Sequence, residues 1–354
     1  IVFKDGATVR GGNADTAMGG ADPTFMEKGG ATSLTLTATS GITLEGKLNA
    51  AALGAGDTFT LAGDLGGAAG SLTKLGAGTV VLTGANTYEG GTTIAAGTLA
   101  LSGAGTLATT GAVALTDSTS VFDLSGADGD RTIGDLSGVA GSTVKLGTKG
   151  LATGTANDTT FAGAFDGTGT LTKQGTGALL LTGDSSGFAG ATTVSAGTLL
   201  VGDDTGGALG GTVQVAAGAT LGGSGTIGGA TTIEGTLSAG NSPGTLTFQD
   251  DLTLKAGSTS VFELNAPGVT GGASNDLVQV DGTLTLGGTL DAHVSAAGYY
   301  TLFTYGSLAS GSSFDTTTVT GTGGFDVQKS VVGYGGGTDS AVVLLAAGAG
   351  QTVQ

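Results

Sequence analysis

The residues that could support nucleophilic catalysis are few and far apart along the chain. A serine nucleophile needs a base within hydrogen-bonding reach. The segment Gly183-Asp184-Ser185-Ser186-Gly187 resembles a serine-protease nucleophile motif, but the one histidine, His293, lies over 100 residues further on. We therefore predict that this segment is an ordinary loop and that His293 is a packed or solvated strand residue. Asn241-Ser242-Pro243 is interpreted as a turn, because it carries no nucleophile signature.

A second group of residues could act on sugars. Some polysaccharide lyases and hydrolases use clustered aspartates with an arginine or lysine on one face. The comparable group here is Asp123, Asp128, Asp130, Arg131 and Asp135. The same residues fit an exposed loop, which we favour, so the sequence predicts no catalytic residue and no enzyme. A polysaccharide-active enzyme stays open as an alternative.

The sequence predicts no cofactor and no metal site. Asp203-Asp204 and Asp250-Asp251 could bind Ca²⁺ weakly, but no tandem Gly-Gly-x-Gly-x-Asp repeat accompanies these pairs. Metal sites need histidine, cysteine or clustered carboxylates at set spacings. Gly223-x-Gly225-x-x-Gly228 has the letters of a dinucleotide-binding motif, but no helix is predicted after it, and such a site needs one.

Composition excludes some partners. The chain of 354 residues has 11 Lys and Arg against 28 Asp and Glu, a formal net charge of −17, and its arginines are Arg10 and Arg131. Nucleic-acid binding needs clustered basic residues, so we predict none. No apolar stretch reaches the ~18 residues of a membrane helix, so we predict no membrane insertion. The absence of cysteine is compatible with export in an extended state and also with a cytosolic protein.

The elements that must position these residues are short strands. Apolar residues alternate with small polar ones in runs bounded by glycine, and 74 residues are glycine. Period-2 alternation with glycine punctuation is typical of half-buried strands. Gly-Thr-apolar units recur at spacings near 20 residues, which predicts coils of a parallel β-helix. A β-sandwich is the alternative. The clearest predicted strands are 79–82, 98–101, 112–115, 212–215, 245–248 and 283–286.

One block occurs twice, in residues 70–101 and 169–201. The first copy reads GSLTKLGAGTVVLTGANTYEGGTTIAAGTLAL and the second GTLTKQGTGALLLTGDSSGFAGATTVSAGTLLV. Leu72, Lys74 and Gly76 recur as Leu171, Lys173 and Gly175. A one-residue insertion falls in the polar stretch and leaves the alternation on each side intact. We predict that the strands build a core and that Leu181 and Leu286 face it, so that Asp at either position destabilises the fold.

The duplicated block resembles the autotransporter-associated β-strand repeat of passenger domains in type V secretion of Gram-negative bacteria. The second copy departs in its centre, where Asp184-Ser185-Ser186-Gly187-Phe188 replaces Ala85-Asn86-Thr87-Tyr88. The segment 235–248, GTLSAGNSPGTLTF, and the strands after it resemble the autochaperone region at the end of such passengers. The resemblance implies a right-handed parallel β-helix (β-solenoid) with a C-terminal β cap, displayed on the cell surface or secreted.

These patterns predict four parts of the chain. Residues 1–69 form N-terminal coils of a segment that begins within the pattern, and residues 70–225 form coils that contain both copies of the block. Residues 226–345 form the autochaperone-like cap, which ends in a strand at 341–345. Residues 346–354 form a tail towards an outer-membrane translocator barrel that is absent from this chain.

The resemblance implies a rigid adhesin or stalk whose C-terminal part templates folding during outer-membrane export. Its partners would be the translocator barrel and unidentified glycans or proteins of a cell surface or matrix. A self-assembling filament or biofilm-matrix subunit, joined end to end, is an alternative, because a stack of coils has two open ends.

Overall fold

The computed structural model describes residues 2–3, 8–11, 24–26, 33–36, 42–44, 47–52, 54–204, 206–240, 243–321, 325–326 and 341–348. The chain divides into two compact units, Ile1–Thr172 and Lys173–Gln354. Every regular element in these residues is a β-strand. Within them we find no helix of the length and hydropathy that a membrane crossing needs.

The first unit stacks its strands in parallel ladders. Ladder A consists of Ser33–Leu36, Thr58–Leu61, Thr79–Leu82, Thr98–Gly103, Val121–Ala127, Thr143–Gly147 and Ala164–Gly167. Ladder B consists of Thr8–Gly11, Thr24–Met26, Lys47–Ala52, Ser71–Leu75, Thr92–Ile94, Val113–Leu115, Leu136–Gly138 and Thr159–Phe161. Shorter pieces are Val2–Phe3, Ile42–Leu44 and Leu65–Gly66, and then Arg131–Thr132, Leu151–Thr153 and Leu171–Lys173.

Alternation along each strand builds the core of this unit. Side chains of a strand point to opposite faces in turn, so every second residue enters the interior. In ladder A one inward residue of each strand stacks on the next, and the register shifts only after Ala100 and after Lys145, beyond these stacked residues. The column formed in this way is at most 3% exposed and comprises Phe59, Val80, Leu99, Phe122, Val144 and Phe165.

The second unit repeats this plan with three ladders. Ladder C consists of Ala178–Leu181, Thr198–Val201, Thr220–Gly223, Thr236–Ala239, Thr259–Leu264, Thr289–Val294 and Thr316–Gly321. Ladder D consists of Thr192–Val194, Val213–Val215, Thr231–Ile233 and Leu252–Leu254, and ladder E of Asp184–Ser185, Ala208–Leu209, Thr226–Ile227 and Thr245–Phe248. Ladders D and E both pair with the long strand Leu277–Thr285.

The last described strands change direction. Gly298–Leu308 pairs in parallel with Leu277–Thr285, and Ala341–Gly348 then pairs antiparallel with Gly298–Leu308. Phe325–Asp326 also pairs antiparallel with Ala341–Gly348. An antiparallel strand covers the ladder edge that another parallel coil would need, so this ladder ends here.

The predicted fold class is confirmed: the chain is an all-β solenoid of stacked parallel strands. The strands predicted at 79–82 and 245–248 have those bounds, whereas residues 283–285 of the one predicted at 283–286 are the end of the longer strand Leu277–Thr285 and Leu286 lies just beyond it. Leu181 and Leu286 are buried, at 2% and 4% exposure. Residues 241 and 242 of the predicted Asn-Ser-Pro turn lie outside the described residues, as do parts of the predicted N-terminal coils and of the tail.

Candidate functional site

The first copy of the duplicated block builds a cation site at one corner of a coil. Lys74 faces inward in ladder B, paired with Ala50 on one side and Ile94 on the other, and is fully buried. Its Nζ donates hydrogen bonds to Leu75 O at 3.1 Å, to Gly76 O at 2.7 Å and to Ala96 O at 2.8 Å. The ammonium group has three donors, so these three carbonyl oxygens satisfy it completely.

The second copy builds the same site. Lys173 is 1% exposed, and its Nζ donates to Gln174 O at 2.7 Å, to Gly175 O at 3.0 Å and to Ala196 O at 3.3 Å. In each copy two acceptors are the carbonyl oxygens of the two residues that directly follow the lysine, where the strand enters the turn, and the third belongs to the turn one coil later. Each lysine therefore joins two successive turns.

The electrostatics of the first site follow from its burial. Removing an ammonium group from water disfavours its charged form, and burial lowers the pKa of Lys74 from its ordinary value of 10.5 to about 8. The lysine still carries its charge at neutral pH, where the partial negative charges of three carbonyl oxygens compensate it.

Glycine makes the close approach of these turns possible. Gly97 has φ +62°, and a Cβ there would lie 2.6 Å from both Gly76 O and Gly78 O of the preceding coil. Gly197 has φ +64° and meets the same oxygens of Gly175 and Gly177. Another residue at either position would strain the backbone and separate the turns. The recurring glycines of the block thus shape the carbonyl site that the lysine fills.

An aromatic residue fills the loop of each copy, but with different hydrogen bonding. Tyr88 is buried, and its hydroxyl lies 2.7 Å from Thr92 Oγ1. Burial raises the pKa of Tyr88, so this hydroxyl stays protonated. Phe188 takes the equivalent place and is also buried, and Thr192 Oγ1, the counterpart of Thr92 Oγ1, has no hydrogen-bond partner.

Each residue of the group predicted as a possible sugar-cleaving site makes separate contacts within the fold. Asp123 accepts from Ser125 N and Oγ and lies 3.8 Å from Lys145 Nζ, while Asp130 accepts from Gly150 N at 2.7 Å. Asp135 accepts from Thr155 N and Oγ1 and from Asn157 Nδ2. Asp128 is exposed, and its backbone N–H binds Gly103 O.

Arg131 connects coils in this region. Its Nε donates to Gly105 O at 2.7 Å and its Nη2 to Gly103 O at 2.8 Å, both more than 20 residues earlier in the chain. Its Nη1 donates to Gly129 O and Asp130 O. The guanidinium group is thus occupied by backbone carbonyls, whereas a sugar-binding arginine would offer its donors to a ligand.

The structure does not bring the predicted nucleophile and base together. Ser185 faces inward on the first strand of ladder E and is 2% exposed, whereas His293 is exposed on the sixth strand of ladder C. His293 Nδ1 lies 2.9 Å from Thr320 Oγ1, and its Nε2 lies 3.7 Å from Asp291 Oδ2. Asp184 accepts from Ser186 N at 3.0 Å, and the segment predicted to be an ordinary loop contains the short strand Asp184–Ser185, because these residues pair with Ala208–Leu209 of the next coil.

The acidic pairs and the glycine motif also have structural contacts. Asp204 Oδ1 lies 3.5 Å from Ser224 Oγ, and Asp251 Oδ1 accepts from Thr283 N at 2.6 Å. Gly223 ends a strand, and a Cβ on Gly225 would lie 2.8 Å from Val201 O, so glycine there allows one coil to approach the next. Among the described residues no group of three or more His, Cys, Asp or Glu could hold a metal ion.

Sequence reasoning missed two buried polar residues within the predicted cap. Asp276 accepts from Gly244 N at 3.0 Å and from Glu263 N at 2.7 Å, and burial raises its pKa to about 6. Asn275 accepts from Asn265 N and Ala266 N and donates to Ala266 O and Val269 O. Together they fasten the loop 265–274 to the coils. The recurrence of Lys74 as Lys173 was visible in the sequence, but its burial was not.

These features define a β-solenoid protein in which a duplicated block fastens coil to coil. The block matches the family described as passenger-associated-transport-repeat, at residues 72–101 and 171–201. The chain is also 38% identical to the adhesin BmaC autotransporter of Brucella suis biovar 1 (strain 1330) over 157 residues, which are 42% of this chain and 4% of that protein. The chain therefore spans a small fraction of the length of this relative.

These matches and the fold support an autotransporter passenger domain. Autotransporter passenger domains are displayed on the surface of Gram-negative cells. The two matched stretches are called the passenger repeats below.

Proposed function

We propose that this segment is a non-enzymatic stalk of a surface adhesin, and that residues 226–345 template the folding of the coils before them during export. The observation that supports the stalk proposal is that charged side chains of this segment form hydrogen bonds within its own fold. Lys74, Lys173 and Arg131 bind backbone carbonyls, and Asp130 and Asp135 bind neighbouring turns. A side chain that already forms hydrogen bonds within the fold is poorly suited to catalysis or to ligand binding.

The similarity to an adhesin supports the same role. The targets would be glycans or proteins of a cell surface or matrix, contacted elsewhere in the passenger. Backbone pairing between successive coils suits a spacer, because the described coils are joined to their neighbours by hydrogen bonds and by shared apolar columns.

A display experiment tests the stalk. A nanobody is attached to the N-terminus of this chain, and the fusion is displayed by a translocator barrel on Gram-negative cells with long lipopolysaccharide. We expect antigen-coated beads to bind these cells better than cells that carry the nanobody directly on the barrel. Equal binding at equal nanobody number would refute the stalk. Cells that display the chain without the nanobody and still adhere to host matrix would place the adhesive surface in this segment.

Templating rests on how the C-terminal region ends. The antiparallel strand Ala341–Gly348 closes the edge of Gly298–Leu308, so coils of that ladder can be added only on the N-terminal side. Each added coil then forms backbone hydrogen bonds and buries another set of apolar residues.

Pulsed hydrogen exchange during refolding of the full chain tests the templating step. We expect amides in the coils of residues 226–320 to gain protection before those of residues 79–201. Earlier protection of the N-terminal coils would contradict templating by the C-terminal region. The non-enzymatic part would be overturned by polysaccharide cleavage that the chain performs and that Asp130→Asn abolishes.

A further inference from the structure

We propose that each passenger repeat builds a carbonyl-lined ammonium site at one corner of its coil, that Lys74 and Lys173 fill these sites as tethered cations, and that filling the site fixes the coil of the lysine in register with the coil that follows it in the chain. The ligand class of the site is a primary ammonium group. The idea rests on the proposed export role only for the order in which coils are added.

The geometry of the two sites carries the proposal. Three carbonyl oxygens converge on one Nζ in each copy, at 2.7–3.1 Å around Lys74 and 2.7–3.3 Å around Lys173. Both lysines are buried, although an inward strand position normally takes an apolar residue, as Ile94 does in the next coil. Both copies of the block contain this buried lysine, although burying a charged group is unfavourable, and both pair it with equivalent backbone acceptors.

The backbone around each lysine shows what the ammonium group adds. In the first copy Ala95 N binds Lys74 O and Thr98 N binds Gly78 O, so the two turns already touch on both sides of the corner. In the second copy Ser195 N binds Lys173 O and Thr198 N binds Gly177 O. Between these bonds, carbonyls of both turns are aimed at the lysine. Without a cation they would face a buried space with no donor, which is unfavourable.

The direction of the contact fits addition of coils from the C-terminal side. Lys74 belongs to the earlier coil, and Ala96 O belongs to the later coil, which under the proposed export order is already folded. The arriving coil therefore carries its own cation and inserts it against an oxygen that is already in place. A coil shifted by one residue would place this lysine on the outer face of the strand, so the site is sensitive to register.

The experiment measures amide exchange of Thr98 and Thr198 in the purified full chain. Lys74→Met and Lys173→Met keep an unbranched side chain of similar length but remove the donors. We expect exchange at Thr98 to rise at least ~10-fold in Lys74→Met and exchange at Thr198 to rise similarly in Lys173→Met, each without the other. Lys145→Met, which removes a half-exposed lysine of the first unit, is the matched control and leaves both amides unchanged.

Chemical rescue separates the ammonium group from mere packing. Lys74→Ala removes the equivalent of n-propylammonium, so we expect added n-propylammonium to restore protection of Thr98 in this variant. Neutral n-propanol and the donor-free tetramethylammonium ion should not restore it. Wild-type protection in Lys74→Met, or equal rescue by n-propanol, would overturn the proposal. If Lys74→Ala does not fold, the Lys74→Met result decides. Because no export step is involved, this outcome is independent of the templating experiment.

Discussion

Tyr88 and Phe188 occupy equivalent positions in the two passenger repeats, so exchanging them tests the structure at one atom. Tyr88→Phe deletes the hydroxyl that lies 2.7 Å from Thr92 Oγ1 and leaves that oxygen buried without a partner. A net loss of about 1–2 kcal/mol is expected, since a hydrogen bond disappears and the Thr92 hydroxyl stays buried. Phe188→Tyr supplies the missing partner of Thr192 Oγ1 and should stabilise the fold by about 1 kcal/mol.

Calorimetric melting of the full chain measures both changes. A change of 1 kcal/mol shifts the melting temperature of a unit of this size by about 2–4 °C. Thr92→Val and Thr192→Val are the matched controls: the first removes a paired hydroxyl and lowers the melting temperature, whereas the second removes an unpaired one and does not. A lower melting temperature in Phe188→Tyr, or no change in Tyr88→Phe, would refute the reasoning.

Three further predictions concern other parts of the chain. Leu181→Asp and Leu286→Asp bury an unpaired charge, so each should lower the free energy of unfolding by about 3 kcal/mol or more. The control Leu180→Asp, on the outward face of its strand, should lower it far less. Similar melting temperatures for all three variants would contradict the assignment of the inward face. Arg131→Ala leaves its four carbonyl contacts without their donor and should accelerate amide exchange at the Gly103–Gly105 turn, with unchanged exchange arguing against a structural arginine. Burial raises the pKa of Asp276 from 3.8 to about 6, so its contribution to stability is full below about pH 4 and is lost as the pH rises through 6. Asp276→Asn should therefore flatten this part of a plot of melting temperature against pH. An unaltered slope would contradict the raised pKa.

The coils could be predicted from the sequence because strand alternation is a local property. The run Thr79–Leu82 places Val80 and Leu82 inside by its period alone, and the structure confirms both as buried. The duplicated block gave the spacing, and the insertion near Gly187 marked the loop. Such signals need no knowledge of which residues meet across coils.

The lysine site could not be predicted, because hydropathy assigns lysine to the surface. Only the register of ladder B places Lys74 between Ala50 and Ile94, and only the stacked turns bring Ala96 O to its ammonium group. Its recurrence as Lys173 shows that the position matters but not on which side of the strand it lies.

The candidate chemical groups were harder to interpret for a related reason. Asp130 and Asp135 lie close to Arg131 in sequence, which suggested a cluster, but each carboxylate bonds to a residue about 20 positions later. A carboxylate that fastens the next coil and one that binds a ligand look the same in one sequence. Asn275 and Asp276 were missed because no periodic pattern marks their contacts: the partners of Asn275 lie in the loop 265–274, and Asp276 joins Gly244 to the strand residue Glu263.

In this protein the number of residues between paired strands varies, whereas the pairing of strands within a ladder is kept. Leu221 pairs with Leu237 after 16 residues, and Ser260 pairs with Leu290 after 30, yet both pairs belong to the same ladder as Leu179 and Leu199. Only the strand positions must be kept when such a gene changes by duplication or recombination. A coil inserted in frame supplies strand residues that pair with the coils on either side of it. Any additional residues form a longer loop at the corner between two strands. Length can therefore vary between related alleles without a new core, so that evolution can adjust the number of coils in single steps.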